Sequence, residues 1–131
     1  MKEFKKVYIC SPLFAPTRKG IDENMAKARE YMEIVSAMLN CRAVAPHAFL
    51  PLFLDDRDPV ERKLGLEFGL RYLATCDALI VCGDRITEGM SDEIAKAVDL
   101  GIPVLILRTG ARMVCTVGGC ELARLLRRWL G

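Results

Sequence analysis

The sequence predicts an α/β protein in which a parallel sheet of four to five strands lies between two helical layers, the three-layer α-β-α arrangement of Rossmann-like proteins. Short apolar runs, each too brief for a helix, occur at residues 6–10, 42–45, 78–82 and 102–107. Longer segments, whose apolar residues recur every three or four positions, separate these runs. This alternation predicts a parallel sheet with right-handed crossovers. We expect the strand order 2-1-3-4, with room for a fifth strand around residues 113–117.

Composition sets the class of protein. The 131 residues are 52% apolar and 27% charged, with a net charge of +2, so we expect one globular domain spanning residues 1–131. No basic stripe interleaved with aromatic residues is present, which argues against a nucleic-acid polymer as partner. No run approaches the roughly 20 apolar residues of a membrane span, and no targeting segment is recognised. We therefore expect a cytoplasmic protein without a membrane partner.

Metal and cofactor chemistry have little support in the sequence. The six cysteines include no Cys-x-x-Cys pair, and His47 is the single histidine. Zinc ligation needs closer spacing, so we expect no metal and no other cofactor. The cysteines are interpreted as reduced thiols that pack as small hydrophobic residues.

The first strand, residues 6–10, ends at Ser11-Pro12, where prolines forbid regular structure. The loop continues to Gly20 and carries a hydroxyl group and two cations, among them Arg18, which suits a phosphate although the P-loop spacing is absent. A helix is predicted over residues 22–39 from its apolar stripe, and Asn40 is expected to end it in the left-handed conformation.

The second strand, residues 42–45, stops at Pro46-His47. His47 follows a strand end, so it is equally suited to facing a ligand and to a structural hydrogen bond. Residues 48–54 are strongly apolar but contain a proline, which predicts a loop or short helical turn over the sheet edge. That segment would cover a ligand base or form a subunit contact.

The next helix has a strong start, with Asp58 as its cap and Pro59 as its first residue, and it is predicted to run to about residue 75. Its apolar residues form two stripes, which implies burial on two sides and therefore a homo-oligomer. The first stripe comprises Val60, Leu64, Phe68 and Tyr72, and the second comprises Leu66, Leu70 and Leu73.

The third strand, residues 78–82, leads through a polar loop into a helix that Thr87, Gly89 or Ser91 could cap and that ends at Gly101. Glu93 is expected in its first turn, where the helix dipole favours the ionised form that a nucleophile or base requires. The plainer interpretation is that Glu93 and its neighbour Asp92 only improve the dipole. A fourth strand follows, and a closing helix is predicted over residues 121–130.

Two polar loops should meet at one place. The strand order puts the switch point of the sheet between the first and third strands, where open α/β sheets bind ligands. The loop after Ser11 and the loop from Asp84 to Glu93 should therefore lie on either side of one crevice.

Three segments carry a resemblance to a known family: Val7-Tyr8-Ile9-Cys10-Ser11-Pro12-Leu13, Cys76-Asp77-Ala78-Leu79-Ile80-Val81 and Gly89-Met90-Ser91-Asp92-Glu93-Ile94-Ala95-Lys96-Ala97. They resemble the nucleoside 2-deoxyribosyltransferase superfamily. The run of about 100 residues from Val7 to Leu107 is most similar to a bacterial and phage branch of it. The superfamily includes transferases that exchange bases on 2-deoxyribosides and hydrolases that release a base from a deoxynucleoside monophosphate.

The resemblance implies roles for particular residues. Glu93 matches the glutamate that attacks the anomeric carbon, Asp77 the acid that protonates the leaving base, and Tyr8 the tyrosine that orients the nucleophile. Thr87 stands where the transferases carry an aspartate, which is closer to the hydrolase pattern.

The expected substrate is a small-molecule nucleoside or nucleotide, and the alternative function is a non-catalytic binder or sensor of a nucleotide-derived ligand in the same crevice. The expected substrate-binding residues are Ser11, Pro12, Arg18, His47, Gly83, Asp84, Arg85, Gly89, Met90 and Ser91. Arg85 would bind phosphate or pair with Asp84 on the surface. Candidates for stacking on the base are Phe14, Phe49 and Phe53.

Overall fold

A computed structural model of the protein describes residues 4–55, 57–108 and 112–115. The strands are β1 (Lys6–Cys10), β2 (Arg42–Val44), β3 (Ala78–Val81), β4 (Val104–Arg108) and β5 (Arg112–Cys115). The α-helices are α1 (Arg18–Leu39), α2 (Pro59–Leu73) and α3 (Glu88–Asp99). Two short 3₁₀ helices, Pro46–Ala48 and Leu50–Leu52, follow β2 and are called the 3₁₀ segment below.

The five strands form one sheet in the order β2-β1-β3-β4-β5. The first four are parallel, which confirms the α/β fold class and the order 2-1-3-4. β5 is antiparallel to β4 and pairs Arg108 with Arg112. So short a connection between two strands permits only a hairpin, because a parallel neighbour would need a crossover of a dozen residues or more.

The central strands β1 and β3 are buried on both faces, which explains why their sequences are continuous apolar runs. On one face, Ile9 and Ile80 pack with Ala28 and Val35 of α1. On the other face, a second cluster joins β1, β3, α2 and α3; it includes Tyr8, Leu79, Val81, Leu73, Met90 and Ile94. The two clusters make the sheet the middle layer of three.

Helix caps set where the helices begin and end. Thr17 accepts a hydrogen bond from the backbone of Gly20 and starts α1 four residues before the expected position, while Asn40 ends it with φ 48°, as expected. Asp58 caps α2 as expected. Thr87 caps α3 by accepting from the Met90 amide at 3.2 Å. Glu93 therefore lies in the second turn of α3, and the expectation of the first turn is wrong.

One apolar stripe of α2 remains on the surface of the single chain. Val60, Leu64 and Phe68 are 70%, 53% and 48% exposed. The homo-oligomer that this stripe suggested stays a prediction, as does the single domain over residues 1–131. Within the described residues no helix is long and apolar enough to cross a membrane. The predicted closing helix, residues 121–130, lies outside the described residues.

Candidate functional site

A cleft opens at the carboxyl edge of the sheet, on the face covered by α2 and α3. Its walls come from the end of β1, the 3₁₀ segment, α2 and the start of α3. Among the expected site residues it contains Tyr8, Ser11, His47, Gly89, Met90 and Glu93. Its free volume, including the mouth that is open to solvent, is about 650 Å³.

The carboxyl group of Glu93 lies where α3, β1 and α2 meet. The Tyr8 hydroxyl and the Cys10 thiol, both from β1, lie within hydrogen-bonding reach of it, and the thiol also lies 3.8 Å from the Met90 carbonyl oxygen, to which it donates. Both donors belong to residues that are almost completely buried, at 1% and 0% exposure. A rigid strand therefore fixes the orientation of the carboxyl group, while Glu93 as a whole stays half-buried at the cleft wall.

Burial raises the pKa of Glu93 from 4.5 to about 7, against the hydrogen bonds from Tyr8 and Cys10, which lower it. The expected effect of the helix dipole is thus outweighed, because Glu93 is a turn away from the helix start and its carboxyl group is desolvated. Near neutral pH the group exists in both protonation states. It can act as a nucleophile or base when ionised and as a proton donor when protonated.

A glycine of α2 makes this arrangement sterically possible. A Cβ atom built on Gly69 would lie 2.7 Å from the Tyr8 hydroxyl oxygen and 3.7 Å from Glu93 Oε2. The first distance is shorter than a side-chain contact allows, so a larger residue at this position would displace the tyrosine. Gly65, one turn earlier on the same cleft wall, has only Leu54 nearby, at 3.8 Å.

His47 and Ser11 form a polar pair in the cleft. The Ser11 Oγ and His47 Nε2 atoms are 2.7 Å apart. Burial lowers the pKa of His47 from 6.5 to about 4, so the imidazole is neutral near pH 7. Its Nδ1 atom is buried without a hydrogen-bond partner among the described residues. His47 thus lines the cleft and is also held by a hydrogen bond to protein, while contact with a ligand stays a prediction.

The structure separates Asp77 from Glu93. Asp77 precedes β3 and its Oδ2 atom accepts hydrogen bonds from the backbone amides of Lys5 and Lys6, at 2.8 and 3.0 Å. This is the amino edge of the sheet, and a four-residue strand spans roughly 13 Å between the two edges. Asp77 does not line the cleft. Its expected role as the acid that protonates a leaving base conflicts with this position, and the side chain instead fixes the start of β1.

Four expected substrate-binding residues line a different pocket, on the face of the sheet covered by α1. They are Pro12, Gly83, Asp84 and Arg85. The two loops do lie on either side of the Glu93 cleft, since Ser11 and Phe14 line it from one loop and Thr87 and Gly89 from the other; other residues of the same loops line this second pocket. No ion pair joins Arg85 to Asp84 within the described part of the chain.

Two further expected residues line neither pocket. Arg18 donates from its guanidinium to the Pro51 carbonyl oxygen at 3.1 Å and pairs with Asp22 at 3.0 Å, so it holds the 3₁₀ segment in place. Ser91 is exposed, and its backbone amide donates to Thr87 in the first turns of α3.

The three aromatic candidates do not form one stacking site. Phe14 lies at the cleft, with the Arg62 guanidinium carbon 4.2 Å from its ring centre. Phe49 and Phe53 line a groove on the other side of the 3₁₀ segment, away from Glu93. An aromatic sandwich around a base is therefore not formed by these three residues.

The sequence pattern did not predict that α2 forms a wall of the cleft. It contributes Glu61, Arg62, Gly65 and Gly69. The apolar stripes of this helix were interpreted as core and interface positions only. The signal that could have located the wall is the pair of glycines four residues apart, because these share one face of a helix and leave it open to close approach.

A metal site has no support in the described residues, where no group of three or more histidine, cysteine or acidic side chains could hold an ion. The described cysteines Cys10, Cys41, Cys76 and Cys82 carry free thiols.

Comparisons with known proteins identify the fold and a family. The solved structure of a 2-deoxyribosyltransferase from Bacillus psychrosaccharolyticus is similar, with a TM-score of 0.56 and 19% sequence identity over 95% of this chain and 82% of that chain. Residues 5–107 match a family described as a domain of unknown function, DUF7768. No curated protein sequence matches the chain.

Proposed function

The chain belongs to the DUF7768 family, and we propose that it cleaves or transfers the N-glycosidic bond of a nucleoside or nucleoside monophosphate, with Glu93 as the nucleophile. The observation that carries the proposal is the Glu93 carboxyl group at the cleft wall, oriented by the Tyr8 hydroxyl and the Cys10 thiol. The fold shared with a 2-deoxyribosyltransferase supports the same reaction class.

The chemistry requires an ionised carboxylate next to an anomeric carbon. One Glu93 oxygen forms a bond to that carbon while the bond from the carbon to the base nitrogen breaks. The bonding electrons leave with the base, which takes up a proton, and the sugar remains as an ester of Glu93. Water then attacks the same carbon and loses a proton to solvent, and the bond from that carbon to the Glu93 oxygen breaks, which frees the sugar and restores the carboxylate. A second base that attacks in place of water yields a new nucleoside.

The leaving base needs a proton source, and Asp77 is at the opposite edge of the sheet. Glu61 is the other carboxyl group among the described residues that line the cleft. It lies in the first turn of α2, and its Oε1 atom already accepts a hydrogen bond from the Asp55 amide at 3.4 Å. We therefore assign it no role as proton donor and propose that the leaving base takes its proton from water in the open cleft.

The test is chromatographic release of free base from a panel of deoxyribonucleosides and their monophosphates. Glu93→Gln should lower release by about 10³-fold or more, because the amide is no nucleophile. Asp99→Asn is the matched control: Asp99 is an exposed carboxylate at the far end of the same helix, so its loss should leave release near the wild-type rate. Equal release by wild type and Glu93→Gln would refute the role of Glu93.

A second free base in the reaction distinguishes transfer from hydrolysis. A transferase would form a new nucleoside, whereas a hydrolase would yield free sugar or sugar phosphate regardless of the added base. With Thr87 engaged as the cap of α3, we expect hydrolysis.

One observation favours the alternative function, a non-catalytic binder of a nucleotide-derived ligand. Asp77, the residue expected to be the acid, caps backbone amides at the far edge of the sheet instead. If the folded wild type releases no base from any substrate of the panel, while equilibrium dialysis shows that it binds one of them, the binder replaces the enzyme as the function of this cleft.

A further inference from the structure

The pocket on the α1 face of the sheet is separate from the Glu93 cleft and has different chemistry. Its polar wall comes from Lys27 and Tyr31 of α1, from Asp84 and Arg85 after β3, and from Arg108 at the end of β4. Its free volume, including the open mouth, is about 1000 Å³. Tyr31 and Leu107 belong to the hydrophobic cluster under α1, whereas the Glu93 cleft is on the opposite face.

The charges in this pocket are unbalanced. Three cationic side chains, those of Lys27, Arg85 and Arg108, face a single carboxylate, that of Asp84. Within the described residues none of these cations forms an ion pair, whereas Arg18 and Arg57 elsewhere pair with Asp22 and Asp55. Several unneutralised cations in a concave site produce a positive potential that attracts anions.

A glycine in a left-handed conformation forms part of the floor of the pocket. Gly83 has φ 106°, a conformation that side chains other than glycine rarely adopt. A Cβ atom there would lie 3.0 Å from Pro12 Cδ and 3.8 Å from the Tyr31 hydroxyl oxygen. The absence of a side chain therefore lets the Pro12 ring approach the backbone from which Asp84 and Arg85 extend, while the Tyr31 hydroxyl lies at an ordinary contact distance.

We propose that this pocket binds a small, multiply charged anion of the phosphate class. The two guanidinium groups suit bidentate contacts with phosphate oxygens, and Lys27 adds a third positive charge. The site is independent of N-glycosidic chemistry, because its charged residues lie on the other face of the sheet from Glu93.

The test is calorimetric titration of the full chain with inorganic phosphate and with pyrophosphate, at low and at high sodium chloride. We expect binding that weakens with salt, as screening requires. Lys27→Gln and Arg85→Gln should each raise the Kd about tenfold or more, the loss expected for a charge-assisted hydrogen bond. Both side chains are exposed, so neither change should disturb folding.

Two control variants make the result specific. Lys63→Gln removes an exposed lysine of α2 that lines neither pocket, so its Kd should equal that of the wild type. Glu93→Gln should also leave anion binding unchanged, whatever it does to base release. No binding of either anion by the wild type at millimolar concentration would overturn the proposal, and so would an equal loss of affinity in Lys63→Gln.

Discussion

The close approach of α2 to the Tyr8 hydroxyl can be tested with a pair of glycine substitutions. Gly65→Ala places its Cβ atom 3.8 Å from Leu54, an ordinary contact, so the variant should gain about 0.5–1 kcal/mol in unfolding free energy from helix propensity. Gly69→Ala should receive the same gain but places its Cβ atom 2.7 Å from the Tyr8 oxygen. Overpacking of a rigid core costs about 1–3 kcal/mol, so Gly69→Ala should be the less stable variant by that amount.

A double-mutant cycle shows whether the Tyr8 hydroxyl causes the loss. Tyr8→Phe removes the oxygen, and the next atom of the ring, Cζ, is 4.0 Å from the built Cβ position. In that background Gly69→Ala should become as favourable as Gly65→Ala, to within about 0.5 kcal/mol. Urea unfolding of the wild type, the three single variants and the two double variants measures the coupling.

The outcome that contradicts this reasoning is a destabilisation by Gly69→Ala that is equal with and without the Tyr8→Phe substitution. Strain would then arise elsewhere in α2. If the cycle shows coupling, base release by Gly69→Ala should also fall, because the displaced hydroxyl no longer orients the Glu93 carboxyl group.

Three further predictions concern stability. The Glu93 pKa is about 7 in the folded protein and 4.5 in the unfolded chain, so between these pH values the folded protein binds a proton that the unfolded chain has lost. The free energy of unfolding therefore falls as pH rises from 4.5 to 7, by about 3 kcal/mol at most. Glu93→Gln should abolish this fall, as measured by urea unfolding at a series of pH values. The His47 pKa is shifted in the opposite direction, to about 4 in the folded protein from 6.5 in the unfolded chain. Its contribution to the free energy of unfolding is therefore present above pH 6.5 and lost as the pH falls towards 4. In His47→Asn, the thermal unfolding midpoint should depend less on acid pH than in the wild type. Asp58→Ala should cost about 1 kcal/mol by removing the α2 cap, and an unchanged unfolding midpoint would contradict that.

The order of residues determined most of the fold. Apolar runs of four or five residues separated by helical stripes indicate a parallel sheet covered on both faces and joined by right-handed crossovers, and the expected order of the first four strands is the one observed. Local chemistry also determined the cap at Asp58 and the left-handed Asn40. Asp77 is instructive because its position was already implied: a residue that precedes a strand lies at the amino edge, opposite the edge where ligands bind.

The tertiary structure alone decided the properties of the candidate site. Its position on α3 suggested an ionised Glu93, but burial of the carboxyl group raises the pKa to about 7, and burial depends on packing between distant segments. In the sequence Gly69 is only a small helical residue. In the folded protein its missing side chain leaves the space that the Tyr8 hydroxyl occupies, because α2 packs against the end of β1 at this point. The polar loops after β1 and β3 share the Glu93 cleft, but each also contributes to the pocket on the opposite face, because consecutive residues such as Ser11 and Pro12 reach different faces of the sheet. Sequence spacing fixes which residues share an edge, whereas the face each side chain reaches depends on the path of the chain in space.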